Sequence, residues 1–133
     1  MKHTRVMVVD DEAIVCDRLR NPLEKVGYQV ETYTDSDRAL EALDRDVFDV
    51  VVSDLQMAGP TGLDVLQSVR NRGLSTQVII ITGYPRLEAE KEAQAIGAFD
   101  FITKPFQLKV LTKKVESAAV RARTSGRPAR SEV

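Results

Sequence analysis

The sequence is poor in thiols and imidazoles: its 133 residues include one cysteine, one histidine and no tryptophan. A single thiol, Cys16, excludes an internal disulfide, and a reducing cytoplasm is the expected compartment. Cys16 falls on the first expected helix, where a surface or half-buried, unreactive position is expected. His3 stands at the N-terminus with no matching ligands, so neither metal binding nor phosphotransfer is expected of it. Charge of one sign is also lacking. Nineteen Lys and Arg against twenty Asp and Glu leave a formal net charge of −1. Binding a phosphate backbone requires a basic excess, so no direct nucleic-acid contact is expected. No apolar run approaches the roughly 18 residues of a membrane span. Asp10 and Asp11 interrupt the first apolar run too early for a signal-peptide core. Repeats and long low-complexity segments are absent. What remains is an ordinary globular composition, 43% hydrophobic and 29% charged, in a chain of single-domain length.

Apolar runs and helical stripes alternate five times. Residues 6–9, 28–33, 49–53, 77–81 and 99–103 read as strands, four of them continuous enough to be buried on both faces. The second alternates Tyr28, Val30 and Thr32 with Gln29, Glu31 and Tyr33, and so reads as a wetter strand nearer an edge. The first helix, over residues 12–26, carries Ile14, Val15, Leu19, Leu23 and Val26, with Pro22 inside it as a kink or break and Gly27 as a left-handed stop. Asp35 or Ser36 caps a second helix bearing Ala39, Leu40 and Leu43. Ala58, Gly59, Pro60, Thr61 and Gly62 supply turn material before a third helix with Leu63, Leu66 and Val69, closed by Gly73. Pro85 starts a fourth helix that turns Leu87, Ala93 and Ile96 inward and ends at Gly97. The last helix places Leu108, Leu111, Val115 and Ala118 on one stripe. Residues 121–133 show no periodicity and read as a disordered tail or linker, leaving residues 1–120 as the domain.

Five such units with short connections imply an α/β fold: a doubly wound parallel sheet with right-handed crossovers. The flavodoxin-like strand order 2-1-3-4-5 is expected for a chain this short, with the switch point between strands 1 and 3. In open parallel sheets, ligands bind beyond the carboxyl ends of the strands. Asp10 and Asp11, Asp54, Thr82 and Lys104 each follow a different strand, so all five are expected on that one rim. Taken singly, Asp10-Asp11 reads as a helix cap, Asp54 as a turn residue, Thr82 as a strand end and Lys104 as a surface charge. Their joint placement points elsewhere. Two like charges about 4 Å apart repel by roughly 4 kcal/mol at an effective dielectric near 20. A carboxylate cluster therefore needs a counterion or it protonates. Oxygen donors without thiolate or imidazole select a hard cation, and magnesium takes one or two carboxylates together with phosphate oxygens. A carboxylate in such a site can act as a nucleophile and form an aspartyl phosphate.

Four motifs carry a resemblance to a known family: Val8-Val9-Asp10-Asp11-Glu12; Ser53-Asp54-Leu55-Gln56-Met57 with Gly62 following; Ile80-Ile81-Thr82-Gly83; and Phe101-Ile102-Thr103-Lys104-Pro105-Phe106. In this order and at these intervals the chain resembles a response-regulator receiver domain of bacterial two-component signalling, over about residues 5–119. The resemblance implies that Asp54 is the phosphoacceptor. It implies that Asp10, Asp11, Asp54 and the Gln56 backbone carbonyl hold Mg2+, Asp10 mainly through water. It makes Thr82 the switch hydroxyl, Lys104 the phosphate-sensing cation, Phe101 the aromatic switch and Lys104-Pro105 a cis peptide bond. Its donor would be a sensor histidine kinase or a histidine phosphotransfer protein. Its output would be a change in the face built from the fourth helix, fifth strand and fifth helix, a face that also suits a homodimer. Asp100, Lys91, Lys109 and Lys113 are candidates there for ion pairs with a dimer mate or a partner. Two departures stand out. Ala58, with Pro60 after it, replaces a frequent proline, and Phe101 replaces a frequent tyrosine, so readout there must use packing rather than a phenol. Gln56 and Tyr84 stand where the family tunes dephosphorylation. Gly62 reads as turn chemistry rather than a ligand contact.

The resemblance implies a switch, not an enzyme. Two other classes compete with it. A metal-dependent phosphohydrolase would use Asp54 or Asp10 as nucleophile, but short connections supply neither a lid nor an evident general acid. A receiver-like interaction module that is never phosphorylated is disfavoured by the complete acidic set. With no output motif in the sequence, the chain is either a stand-alone receiver or a fragment of a longer regulator.

Overall fold

The three inner strands are almost wholly buried because helices cover both sides of the sheet, while the two edge strands are wetter. The computed structural model describes residues 3–125. Its elements are β1 (Arg5–Val9), α1 (Ala13–Val26), β2 (Gln29–Tyr33), α2 (Ser36–Arg45), β3 (Val50–Asp54), α3 (Gly62–Asn71), β4 (Gln77–Thr82), α4 (Leu87–Ile96), β5 (Asp100–Thr103) and α5 (Leu108–Ser125). All neighbouring strands are parallel, in the order β2-β1-β3-β4-β5. This is the flavodoxin-like α/β topology expected from the sequence.

Alternation along each strand divides the interior into two cores. Val6, Val8, Val50, Val52, Ile79 and Ile81 face Leu19 and Leu23 of α1 and Leu111 and Val115 of α5. Met7, Val9, Val51, Val78 and Ile80 face Leu43 of α2, Leu66 and Val69 of α3 and Ala93 of α4. Each fully buried Val, Leu or Ile contributes roughly 1.5–3 kcal/mol. β2 is the wet edge its alternation predicted, with Val30 alone buried.

Several helix details differ from the sequence reading. Pro22 neither ends nor divides α1. The buried stripe of α1 is Cys16, Leu19 and Leu23, while Ile14 and Val26 are exposed. Cys16, Leu19 and Leu23 recur at three- and four-residue steps on one face, and Ile14 lies on the opposite one. Cys16 is therefore core rather than surface; its Sγ lies 3.5 Å from the Asp10 carbonyl. Leu87, expected inward, is 66% exposed in the first turn of α4, and Ala93 is the residue that helix buries. The expected tail also begins too early. α5 continues to Ser125 because Ala118, Ala119 and Ala122 extend the stripe begun by Leu111 and Val115. Arg123 donates a 2.6 Å hydrogen bond to Thr4. Residues 121–125 thus continue α5, and 126–133 lie outside the described residues.

Gly62 is needed for space rather than for turning. A Cβ there would lie 2.5 Å from the backbone oxygen of Asp54 and 3.1 Å from Cα of Leu55. The Gly62 N–H donates to the Leu55 carbonyl at 2.8 Å, docking the start of α3 against the end of β3. Gly83 has open space around its Cβ direction. Overpacking of this kind usually costs about 1–3 kcal/mol. Gly62→Ala is expected to lower unfolding stability by that amount in urea, whereas Gly83→Ala stays within about 0.5 kcal/mol of the parent. Equal effects of the two substitutions would contradict this account.

Candidate metal centre

The rim is assembled by register. Val9 pairs with Ser53, Asp54 with Ile81 and Thr82 with Thr103. Asp10 and Asp54 therefore emerge level with one another, Thr82 one residue further along its strand and Lys104 two. β1 delivers Asp10 and the following Asp11 and Glu12; β3 delivers Asp54; β4 delivers Thr82; β5 delivers Lys104. The Lys104 N–H donates to the Thr82 carbonyl at 2.7 Å, which holds those two strand ends together. The Lys104–Pro105 peptide bond is cis.

One carboxylate oxygen from each of Asp10, Asp11 and Asp54 lies within 4.8 Å of the other two. Asp10 is fully buried and Asp54 nearly so, while Asp11 is exposed. Asp10 Oδ1 accepts the Glu12 backbone N–H at 2.9 Å. Asp10 Oδ2 has no hydrogen-bond partner among the described residues. The Lys104 ammonium is 2.9 Å from it but lies off hydrogen-bonding angles, so the contact is an ion pair. The same ammonium is 3.2 Å from Glu12 Oε1 and 3.6 Å from Asp54 Oδ1.

One lysine among these acids leaves the centre short of positive charge. Burial, reinforced by the Asp10 charge, pushes the Asp54 pKa up from 3.8 to about 6, against the opposing pull of Lys104. Burial disfavours the Lys104 ammonium, but Asp10, Asp54 and Glu12 outweigh it and raise its pKa above the usual lysine value. An all-carboxylate donor set with a fully buried oxygen lacking a hydrogen bond fits a hard divalent cation.

A cleft of about 440 Å³ opens over these groups and is lined by Asp11, Glu12, Asp54, Gln56, Thr82, Gly83, Tyr84 and Lys104. Thr82 is buried at its base, and its hydroxyl oxygen accepts the Tyr84 N–H at 3.0 Å. Gln56 and Tyr84 are exposed on the wall. Phe101 does not reach the cleft. It is half-buried against the core between the sheet and α2–α4. Asp100 is paired at 2.7 Å with Lys114 of the same chain. The sequence reading also gave no role to Glu12, although it stood inside the first motif. The available signal was its position one residue past the acid pair, within reach of the same rim.

A doubly wound parallel sheet carries three acids and a lysine on its carboxyl rim. Over residues 6–116 the chain matches the response regulator receiver domain, and it belongs to that family. Among curated relatives, the response regulator protein PmrA of Pseudomonas aeruginosa is 35% identical over 123 residues, covering 92% of this chain and 55% of that protein. The chain spans about half the length of that relative and of the similar transcriptional regulatory protein FixJ of Bradyrhizobium diazoefficiens, 34% identical over 85% of this chain. A CheY-like receiver from Methanospirillum hungatei superposes with TM-score 0.87 over 93% of this chain and 99% of its own, at 24% identity, a likeness of fold alone. The beryllofluoride-activated NtrC4 receiver domain, a dimer in solution, superposes at 0.83 with 28% identity over 89% and 98% of the two chains. Among the described residues no helix is long and apolar enough to cross a membrane.

The raised Asp54 pKa has a definite stability sign. A carboxyl that holds its proton more tightly when folded favours folding at low pH, and that contribution is lost as pH rises through about 6. In EDTA, Asp54→Asn is expected to be more stable than the parent at pH 7–8 by up to about 3 kcal/mol, from 1.36 kcal/mol per pK unit. The difference should close below pH 4. Urea denaturation across this pH range checks it, and a difference independent of pH would count against the electrostatic origin.

Proposed function

We propose that the chain is a phosphorylation-controlled signalling switch that accepts a phosphoryl group on Asp54 from a sensor histidine kinase or a histidine phosphotransfer protein. The observation that carries this reading is the convergence of Asp10, Asp11 and Asp54 within 4.8 Å, with the Lys104 ammonium 3.6 Å from Asp54. Asp10, Asp11, Asp54 and the Gln56 backbone carbonyl would hold Mg2+, with Asp10 acting mainly through water. Bound there, the ion supplies positive charge against both the acid cluster and the incoming phosphoryl oxygens.

In the transfer, a carboxylate oxygen of Asp54 forms a bond to phosphorus while the phosphorus–nitrogen bond of the donor phosphohistidine breaks. The electron pair of that bond returns to the imidazole nitrogen, which leaves. Lys104 offsets the charge on the phosphoryl oxygens. The Thr82 hydroxyl turns to donate a hydrogen bond to one of them, relinquishing the Tyr84 N–H it accepts. Space vacated by Thr82 is taken by Phe101, which lacks a phenol and so reports by packing. The face formed by α4, β5 and α5 then changes. Phosphorylation biases an equilibrium between two arrangements of that face rather than building a new one. A homodimer through the same face is the proposed assembly, supported by the dimeric state of the activated NtrC4 receiver. The switch works in the cytoplasm, and its output belongs to a partner or to a further domain, as the length of PmrA and FixJ suggests. It is a switch rather than a turnover enzyme: one phosphoryl group per chain, with a lifetime tuned at Gln56 and Tyr84.

Incubation with acetyl phosphate and Mg2+ is expected to place one acid-stable, hydroxylamine-labile phosphoryl group on each chain, seen by intact mass. Asp54→Asn or EDTA should abolish it. Thr82→Ala should still be labelled but lose most of the amide shift at Phe101. Rapid multiple turnover of a simple phosphoester, or full labelling of Asp54→Asn, would overturn the reading.

A further inference from the structure

The Lys104 ammonium is claimed by three acids, and they do not hold it equally. It lies 2.9 Å from Asp10, 3.2 Å from Glu12 and only 3.6 Å from Asp54. Asp10 and Asp54 belong to the trio that fits a cation, whereas Glu12 does not. A cation on the trio would draw on the same oxygens that attract the lysine. Glu12 would then be the acid still free to hold it. Its position suits that work. Glu12 occupies the N-cap of α1, yet its side chain makes no capping bond and reaches a lysine 92 residues away. Its backbone N–H is anchored on Asp10 Oδ1 at 2.9 Å, which fixes the base of the side chain beside the cleft it lines.

We propose that Glu12 is a positioning residue that holds Lys104 back from the phosphoryl site in the unphosphorylated protein, so that accepting a phosphoryl group requires this ion pair to open. The proposal rests on Asp54 being the phosphoacceptor. Glu12 sets how readily the lysine is released and thereby how strongly the site prefers its empty form. The carboxylate is 62% exposed, and exposed ion pairs are weak. The effect is accordingly a few-fold adjustment rather than an on–off gate.

The test compares Glu12→Gln with Asp17→Asn, which removes the same charge from the exposed face of α1 away from the cleft. Beryllium fluoride with Mg2+ serves as the phosphoryl probe, its Kd read from the Thr82 amide resonance. Glu12→Gln is expected to tighten it about three- to fivefold, and Asp17→Asn to leave it unchanged. In metal-free protein, competitive acetylation with acetic anhydride should modify Lys104 faster in Glu12→Gln only, as read by mass spectrometry. That second readout assigns the effect to the lysine rather than to the field of one lost charge. Unchanged or weakened affinity in Glu12→Gln, a matching gain in Asp17→Asn, or unaltered Lys104 acetylation each overturns the proposal. If the parent protein itself fails to bind beryllium fluoride with Mg2+, the phosphoacceptor reading falls instead, and the metal-free acetylation still decides whether Glu12 tethers the lysine.

Discussion

Mutual repulsion of carboxylates held together at the end of a rigid sheet is the constraint on which this molecule turns. Left to themselves, Asp10, Asp11 and Asp54 would separate or protonate. They cannot separate, because β1 and β3 are adjacent inner strands whose side chains are almost wholly buried on both faces. The energy that holds the acids together is spread over the hydrophobic cores. The strain of holding them appears locally, as a raised Asp54 pKa and a buried Asp10 oxygen with no hydrogen bond. Such a centre is poised to gain from any arriving positive charge.

The same geometry supports the proposed response to a phosphoryl group. Lys104 is the only cation among the cleft-lining residues, and its backbone is bonded to that of Thr82. A change in the charge on Asp54 therefore acts on two neighbouring strand ends at once. Lys104 responds through its ammonium and Thr82 through its hydroxyl. Because the strand interiors beneath them are packed and cannot yield, displacement is directed outward along the rim.

The sheet and the site were legible in the sequence because both are written in strand ends. Apolar runs such as Val50-Val51-Val52 identify strands directly. The rule that ligands gather at carboxyl edges then brings Asp54, Thr82 and Lys104 together without any knowledge of contacts. What was not legible depends on lateral packing. On α1 apolar content alone groups Ile14 with Leu19 and Leu23, whereas packing buries Cys16 with them instead. The polar composition of residues 121–125 hid Ala122, whose methyl group continues the α5 stripe. Gly62 looked like turn material because its need, a backbone oxygen 2.5 Å from a would-be Cβ, comes from a neighbouring strand.

The two ends of α4 differ in how firmly they are held, and the difference falls where a switch needs it. At the C-terminal end, Gly97 adopts the left-handed conformation and its N–H bonds the Ala93 and Gln94 carbonyls. Arg70 reaches across from α3 to the carbonyls of Leu74 and Thr76, at 3.0 and 2.8 Å, and to that of Gly97 at 3.4 Å. At the N-terminal end, Arg86 provides no side-chain cap, and Tyr84 and Leu87 are exposed. Uncapped first turns with few buried contacts are the cheapest parts of a helix to displace. This loose end is joined to Thr82 by the short Gly83–Pro85 connection. Thr82 holds it through a single hydrogen bond to Tyr84. In the proposed switch, a Thr82 hydroxyl that turns toward Asp54 gives up that bond, and movement begun at the acid centre would reach the first turn of α4 before the end anchored at Gly97.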